Sequence, residues 1–148
     1  MSKIFKGRPV VPGKVDAEAL VTHTGFNTLA NLKTAGSFMN PKGVLKDHNN
    51  PEIYNKLIPG KALCLPETIG STTGGMVLYC ASCMKVGPAC MLFPHKADTL
   101  AVAGAVLTAN WSDYPIVMVD DLGDEFMEYV KEGQIIHVSE DGTVEVEG

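Results

Sequence analysis

The residues able to do chemistry in this chain gather between Gly60 and Gly75, which read Gly-Lys-Ala-Leu-Cys-Leu-Pro-Glu-Thr-Ile-Gly-Ser-Thr-Thr-Gly-Gly. Three consecutive hydroxyls, Ser71, Thr72 and Thr73, stand between Gly70 and the Gly74-Gly75 pair. Glycine lets a backbone come close to a ligand, and a helix starting at Gly74 would offer unpaired amides to an anion. Gly70, Thr72, Thr73 and Gly74 then suit a cradle for a phosphate or carboxylate. The segment is not a P-loop, because no lysine follows the last glycine at the required spacing. The same hydroxyls equally serve as plain caps of a helix start. On the residues alone both readings stay open.

Other reactive side chains are weighed the same way. Cys80-x-x-Cys83, with Cys64 and Cys90 nearby, offers four thiolates to a tetrahedral metal site. Yet Cys80 and Cys83 share an apolar helical face with Met76, Val77 and Met84, and Cys64 and Cys90 fall in continuous apolar runs. Core packing is therefore expected, with no metal site in this chain. His23, His48, His95 and His137 show no i, i+4 ligand spacing. His137 alternates with Ile136 and Val138, which places it on the surface of a terminal strand. His95 follows Phe93-Pro94 at a strand end, a loop histidine with a candidate view of a site. His48 lies in the irregular Lys46–Pro51 stretch and is a second candidate. Lys61, beside Gly60, is the candidate source of positive charge near the hydroxyl loop, or else a plain solvent-exposed lysine. Asp120-Asp121 is expected as a solvated loop after Val119, since neighbours in a strand point to opposite faces. Trp111 is expected to anchor the end of a helix by packing.

The elements that must position these groups follow from pattern and punctuation. Lys3–Val11 and Val15–Thr22 alternate around Pro12-Gly13 and read as an opening strand pair joined by a turn. Thr24–Pro59 is rich in Asn, Gly, Lys and Pro with no sustained period, and irregular stretches of that length tend to be functional. Lys61–Leu65, Ala89–Phe93 and Ile116–Val119 are short apolar runs of the buried-strand type. A helix runs from Gly74 to the Gly87-Pro88 stop, and Asp98 stands as N-cap ahead of Leu100–Ala109. Glu125–Lys131 reads as a short helix stopped by Gly133. Gln134–Val138 and Thr143–Val146 close the chain as a hairpin around Asp141-Gly142. The fold class is α/β: a mixed sheet with hairpins at both chain ends around a β-α-β-α-β centre.

Composition bounds the rest. At 148 residues, 45% hydrophobic and 20% charged, with no linker or repeat, residues 1–148 read as a single globular domain. Twelve Lys+Arg against seventeen Asp+Glu give a net charge of −5, which argues against nucleic acid and anionic membranes as partners. No apolar run approaches membrane-spanning length, and Met1–Pro12 is too short and polar for a signal peptide. Four cysteines without such a signal read as reduced thiols in a cytoplasmic protein.

Several of these residues together resemble a family. Gly60-Lys61, the Leu63–Pro66 strand, the Gly70–Gly75 loop, and Ala97-Asp98 followed by Ala103-Gly104-Ala105-Val106 are similar to the small subunit of aconitase X. The resemblance extends to Gly7–Val21, Asp47–Pro51 and Asp141–Val144, nearly the whole chain. It implies a swivelling β/β/α domain and half of a hydro-lyase, active only with a large catalytic subunit. In such enzymes an iron centre takes the leaving hydroxyl of a hydroxy acid and a base removes a proton. The resemblance puts the iron or iron–sulfur cluster in the large subunit, none in this chain, and makes Ser71 the base. A serine needs positive surroundings to act as an alkoxide, and a helix N-terminus supplies part of that field. Related aconitases carry an arginine two residues after the serine; here Thr73 stands there, as in the aconitase X branch. Arg8 is the sole arginine, so bidentate grip on a carboxylate is expected from the partner subunit. The expected substrate is cis-3-hydroxy-L-proline, dehydrated to a pyrroline-2-carboxylate. Mevalonate 5-phosphate is the alternative substrate, and a non-catalytic anion-binding domain the alternative role.

Overall fold

Ala62-Leu63-Cys64, Cys90-Met91-Leu92 and Val117-Met118-Val119-Asp120 are buried at every position, as strands covered on both faces must be. In the computed structural model, which describes residues 2–148, these three runs form the centre of a sheet. In chain order the elements are β1 (Lys3–Lys6), β2 (Arg8–Val11), β3 (Val15–Val21), β4 (Phe26–Asn27), α1 (Thr28–Leu32), β5 (Ala62–Cys64), β6 (Thr68–Ile69) and α2 (Gly74–Cys83). Then follow β7 (Cys90–Leu92), α3 (Thr99–Trp111), β8 (Val117–Asp120), α4 (Asp124–Tyr129), β9 (Ile135–Val138) and β10 (Thr143–Val146). The main sheet has the order β1-β10-β9-β3-β5-β7-β8-β2. Strands β3, β5, β7 and β8 are parallel neighbours, and the remaining pairings in that sheet are antiparallel.

The period of two along the parallel strands separates two cores. Leu20, Leu63, Met91 and Met118 pack with Leu78 and Ala81 of α2 and Ala101 and Ala105 of α3. The alternate residues, among them Val21, Cys64, Leu92 and Val119, pack with Phe5 of β1, Ile136 of β9, Val144 of β10 and Phe126 of α4. The result is three layers: antiparallel strands, parallel strands, helices. Among the described residues no helix is long and apolar enough to cross a membrane.

The closing hairpin forms as read, with Val144 opposite Val138 and Val146 opposite Ile136. The opening strand pair does not form a hairpin. Instead β1 pairs with β10, β2 with β8, and β3 lies between β9 and β5. Alternation marks a strand but does not name its partner. The switch between sheet edges falls at Gly7, whose N–H donates to the Gly142 carbonyl at 2.9 Å. A Cβ at Gly7 would lie 2.6 Å from the Asp120 carbonyl oxygen, so only glycine fits.

The long irregular segment is ordered by amide side chains acting as surrogate backbone. Asn40 accepts from Val44 N–H and donates to its carbonyl, Asn31 donates to the Asn27 carbonyl and accepts from Asp47 N–H, and Asn50 donates to Thr22 Oγ1. Leu45, Ile53 and Ile58 are fully buried and anchor it. Helix α4 ends at Tyr129, earlier than the expected Lys131. Gly133, at φ +88°, serves the turn into β9, donating to the Ala19 carbonyl.

Candidate active site

The hydroxyl loop lies between β6 and α2, at the edge of the sheet where the parallel strands end. Crevices at that edge are where open α/β sheets bind ligands. Three supports hold the loop. Thr68 donates its N–H to Asp98 Oδ1 at 2.7 Å and its hydroxyl to Oδ2 of the same carboxylate. Asp98 also caps α3 by accepting from Ala101 N–H at 3.1 Å, as its sequence position predicts. Next, β6 pairs with β4, so Phe26 and Asn27 run alongside Thr68 and Ile69. Finally, Gly70 turns at φ +102° against the Asn27 amide, where a Cβ would lie 2.6 Å from Oδ1. That Asn27 oxygen in turn caps α1 through Ala30 N–H at 3.0 Å.

Ser71 itself is half-buried, and Thr72 and Thr73 are exposed. Ser71 Oγ accepts the Thr73 N–H at 3.2 Å and lies 2.9 Å from Thr73 Oγ1. The Ser71 carbonyl accepts from Gly74 N–H at 3.0 Å, and α2 begins there without a side-chain cap. Thr73, the residue before the helix, makes no side-chain cap bond; its N–H donates to Ser71 Oγ and its hydroxyl shares a hydrogen bond with the same oxygen at a positive helix end. Donors aimed at an oxygen stabilise its anion.

Not every candidate residue reaches this loop. Lys61 precedes β5, at the opposite end of the strand from Ser71, and pairs with Glu18 at 3.1 Å. It supplies no charge there. His95 lies on the correct edge, after β7, but is exposed and paired with Asp124 at 2.7 Å. His48 stacks on Tyr54 with ring centroids 4.4 Å apart, at a separate cleft of about 520 Å³ lined also by Lys33, Lys46 and Asp47. His137 stays on the surface strand as read, bridging Asp16 and Glu147.

Three expectations are corrected. Asp120 is not a solvated loop residue: it ends β8 fully buried, held by Arg8 through Nε at 2.8 Å and Nη2 at 2.6 Å, and accepts from Ala97 N–H. Burial pushes its carboxyl pKa up, but Arg8 and the Ala97 amide together hold it below the ordinary value. Trp111 is 69% exposed and anchors nothing in this chain. Cys80 and Cys83 are exposed, as are Met76 and Met84, because α2 buries Gly74, Gly75, Leu78, Ala81 and Ser82 instead. Cys64 and Cys90 are core residues as expected. Among the described residues no group of three or more His, Cys, Asp or Glu side chains could hold a metal ion.

Sequence reasoning overlooked two site features. The tie from Asp98 to Thr68 was hidden because a cap residue already explained the aspartate. His23, just past β3 on the same edge as Ser71, donates its N–H to Glu52 Oε1 and places Nδ1 2.7 Å from Oε2. The hydrogen bond from Glu52 raises the His23 pKa above its ordinary value despite partial burial. Their separation in sequence left no local signal.

The three layers, antiparallel strands, parallel strands and helices, give the β/β/α architecture of a swivelling domain. The family model of the aconitase X swivel domain matches residues 4–146, and the chain belongs to that family. It is 28% identical over 144 residues to the phosphomevalonate dehydratase small subunit of Aeropyrum pernix, covering 97% of this chain and 93% of that protein. The crystal structure of holo-form aconitase X from Thermococcus kodakaraensis superposes with a TM-score of 0.80 at 28% identity, over 99% of each chain. A UPF0107 protein solved by solution NMR superposes at 0.79, also 28% identical, over 99% of this chain and 100% of that one.

Proposed function

We propose that this chain is the small subunit of an aconitase-X-type hydro-lyase and supplies Ser71 as the base that removes a proton from a hydroxy acid. The observation that carries the reading is the convergence of the Thr73 amide and hydroxyl on Ser71 Oγ at the start of α2. Family membership and the dehydratase relative support the reaction class. The serine oxygen, held in its anionic form by the Thr73 amide and hydroxyl beside the positive end of α2, takes the proton and becomes neutral. Gly70, packed against the Asn27 amide, fixes the turn that presents Ser71. Arg8, the sole arginine, is committed to Asp120; a bidentate guanidinium grip on the substrate carboxylate is therefore assigned to the large subunit. The iron or iron–sulfur centre that the family resemblance implies has no fitting ligand set among the described residues. It too falls to the partner, and no step assigned to this chain passes through it.

For the substrate, the Aeropyrum relative favours mevalonate 5-phosphate over the cis-3-hydroxy-L-proline expected from sequence. The proline derivative is kept as the second reading because 4 Cys and 7 Met do not suggest a hyperthermophile. Co-expression with an aconitase X large subunit, followed by dehydration assays on both compounds, separates the two. In that complex Ser71→Ala should lower kcat by about 10² to 10⁴ while assembly is unchanged. Near-normal kcat in Ser71→Ala, or turnover by this chain without a partner, overturns the assignment.

A further inference from the structure

Helix α2 carries a pair of cysteines that the proposed dehydration does not use. Cys80 and Cys83 are both exposed. They lie three residues apart, hence on one face of the helix. We propose that Cys80 and Cys83 form a surface dithiol that exchanges with low-molecular-weight disulfides and closes to an intramolecular disulfide.

The geometry favours closure over two separate adducts. In a regular helix the Cβ atoms of residues i and i+3 lie about 5–6 Å apart. A disulfide spans about 3.5–4.5 Å between them, so closure asks for roughly 1.5 Å of tightening. The pair sits where a helix gives most easily. Cys83 is the last residue of α2, and the chain then leaves through Lys85 at φ +63°. There Lys85 N–H bonds the Ser82 carbonyl and Val86 N–H the Ala81 carbonyl. A terminal turn tightened towards 3₁₀ geometry eclipses i and i+3 and brings the two sulfurs together.

Competing partners are absent from reach. Cys64 and Cys90 are fully buried in the core between the two strand layers. That burial pushes the Cys64 thiol up and the Cys90 thiol up to about 12, so both stay protonated. No charged residue occurs between Gly74 and Met84 to repel an anionic reagent.

The chemistry balances with one molecule of glutathione disulfide. One cysteine thiolate attacks a glutathione sulfur, forming a mixed disulfide and releasing one glutathione thiolate. The second cysteine thiolate attacks the protein sulfur of that mixed disulfide and releases the second. The two protons lost by the protein thiols are taken up by the two glutathione thiolates. The dithiol is oxidised by two electrons and the glutathione disulfide is reduced to two thiols.

The test uses the full reduced chain, exposed to glutathione disulfide at mildly alkaline pH and read by intact mass and peptide mapping. The expected product is lighter by two hydrogens, carries no glutathione, and links Cys80 to Cys83; dithiothreitol reverses it. Cys80→Ser and Cys83→Ser should each accumulate a single persistent glutathione adduct instead. Two stable adducts on the native chain, no reaction, or a link to Cys64 or Cys90 overturns the proposal. Since no turnover is measured, this result stands apart from the fate of Ser71.

Discussion

Thr73 is the residue that the proposed mechanism ties most closely to Ser71. Its hydroxyl and its amide both sit on Ser71 Oγ. Removing the hydroxyl alone withdraws one hydrogen bond from the serine anion, a loss of about 1.5–3 kcal/mol or roughly 10- to 150-fold in rate. In the assembled enzyme Thr73→Val should therefore lower kcat by that factor and move the acid limb of the pH–rate profile, which deprotonation of the base sets, to higher pH. Thr72→Ala, with no bond to the serine, should act on KM. An unchanged profile in Thr73→Val, with KM alone affected, would assign the hydroxyl to substrate binding. The pair formed by Arg8 and Asp120 works on stability instead. Asp120 has a folded pKa below its unfolded value, so its contribution is present above about pH 4 and is lost as pH falls through the lower folded value. Arg8→Met leaves the carboxylate buried with only the Ala97 amide, and should raise the acid-unfolding midpoint by roughly one pH unit. Circular dichroism across an acid titration reads that shift directly.

Two contacts between elements decide where the serine points. Asp98 joins the start of α3 to the start of β6, holding the strand that leads into the loop. Asp98→Ala removes a helix cap and two Thr68 bonds, an expected loss of about 2 kcal/mol in denaturant unfolding. Asp98→Asn keeps one oxygen for the cap and should lose less, while still lowering kcat by loosening Thr68. The second contact is the crossing of α2 over α3. A Cβ at Gly104 would lie 3.0 Å from the Gly75 carbonyl oxygen and 2.9 Å from Leu78 Cδ2. Gly104→Ala should cost about 1–3 kcal/mol by overpacking, measured by the same unfolding. This crossing explains why the buried face of α2 was read backwards from sequence. The large apolar residues Met76, Cys80, Cys83 and Met84 suggested the core face, yet the close approach selects Gly75, Leu78 and Ala81. Between Gly74 and Met84 there is no charge to mark a wet side, so periodicity had no contrast to report. The short strands were legible because runs such as Ala62–Cys64 are apolar throughout, and the cap Asp98 because its position is local. Strand partners beyond the closing hairpin, the Arg8–Asp120 pair and the His23–Glu52 pair depend on residues far apart in sequence, where pattern carries no information.

At the scale of the whole molecule, both edge strands of the main sheet come from the first eleven residues, and the C-terminal strand lies next to one of them. Order β1-β10-β9-β3 therefore ties the two chain ends to the first parallel strand. His137 sits at the middle of that tie. On β9 it faces Asp16 of β3 in register, with Nδ1 2.6 Å from the Asp16 carboxylate, and its Nε2 reaches Glu147 just beyond β10. The hydrogen bond to Glu147, then that to Asp16, raises its pKa to about 9. Because the folded value exceeds the unfolded one, protonated His137 contributes stability that is complete below about pH 6.5. That contribution fades as pH rises through about 9. The imidazole is about one-third exposed, with side-chain exposure of 34%, and its two carboxylate partners more so, so solvent screening keeps the effect small. The expected observation is a Tm that holds level up to about pH 6.5 and falls by a few degrees between there and about pH 9.5. His137→Gln keeps hydrogen-bonding capacity but cannot titrate, so its Tm should start lower and stay flat over the same range. A native slope that persists in His137→Gln would place the titrating group elsewhere. A slope removed by Glu147→Gln or Asp16→Asn as well as by His137→Gln would show that the three side chains act as one clasp on the chain ends.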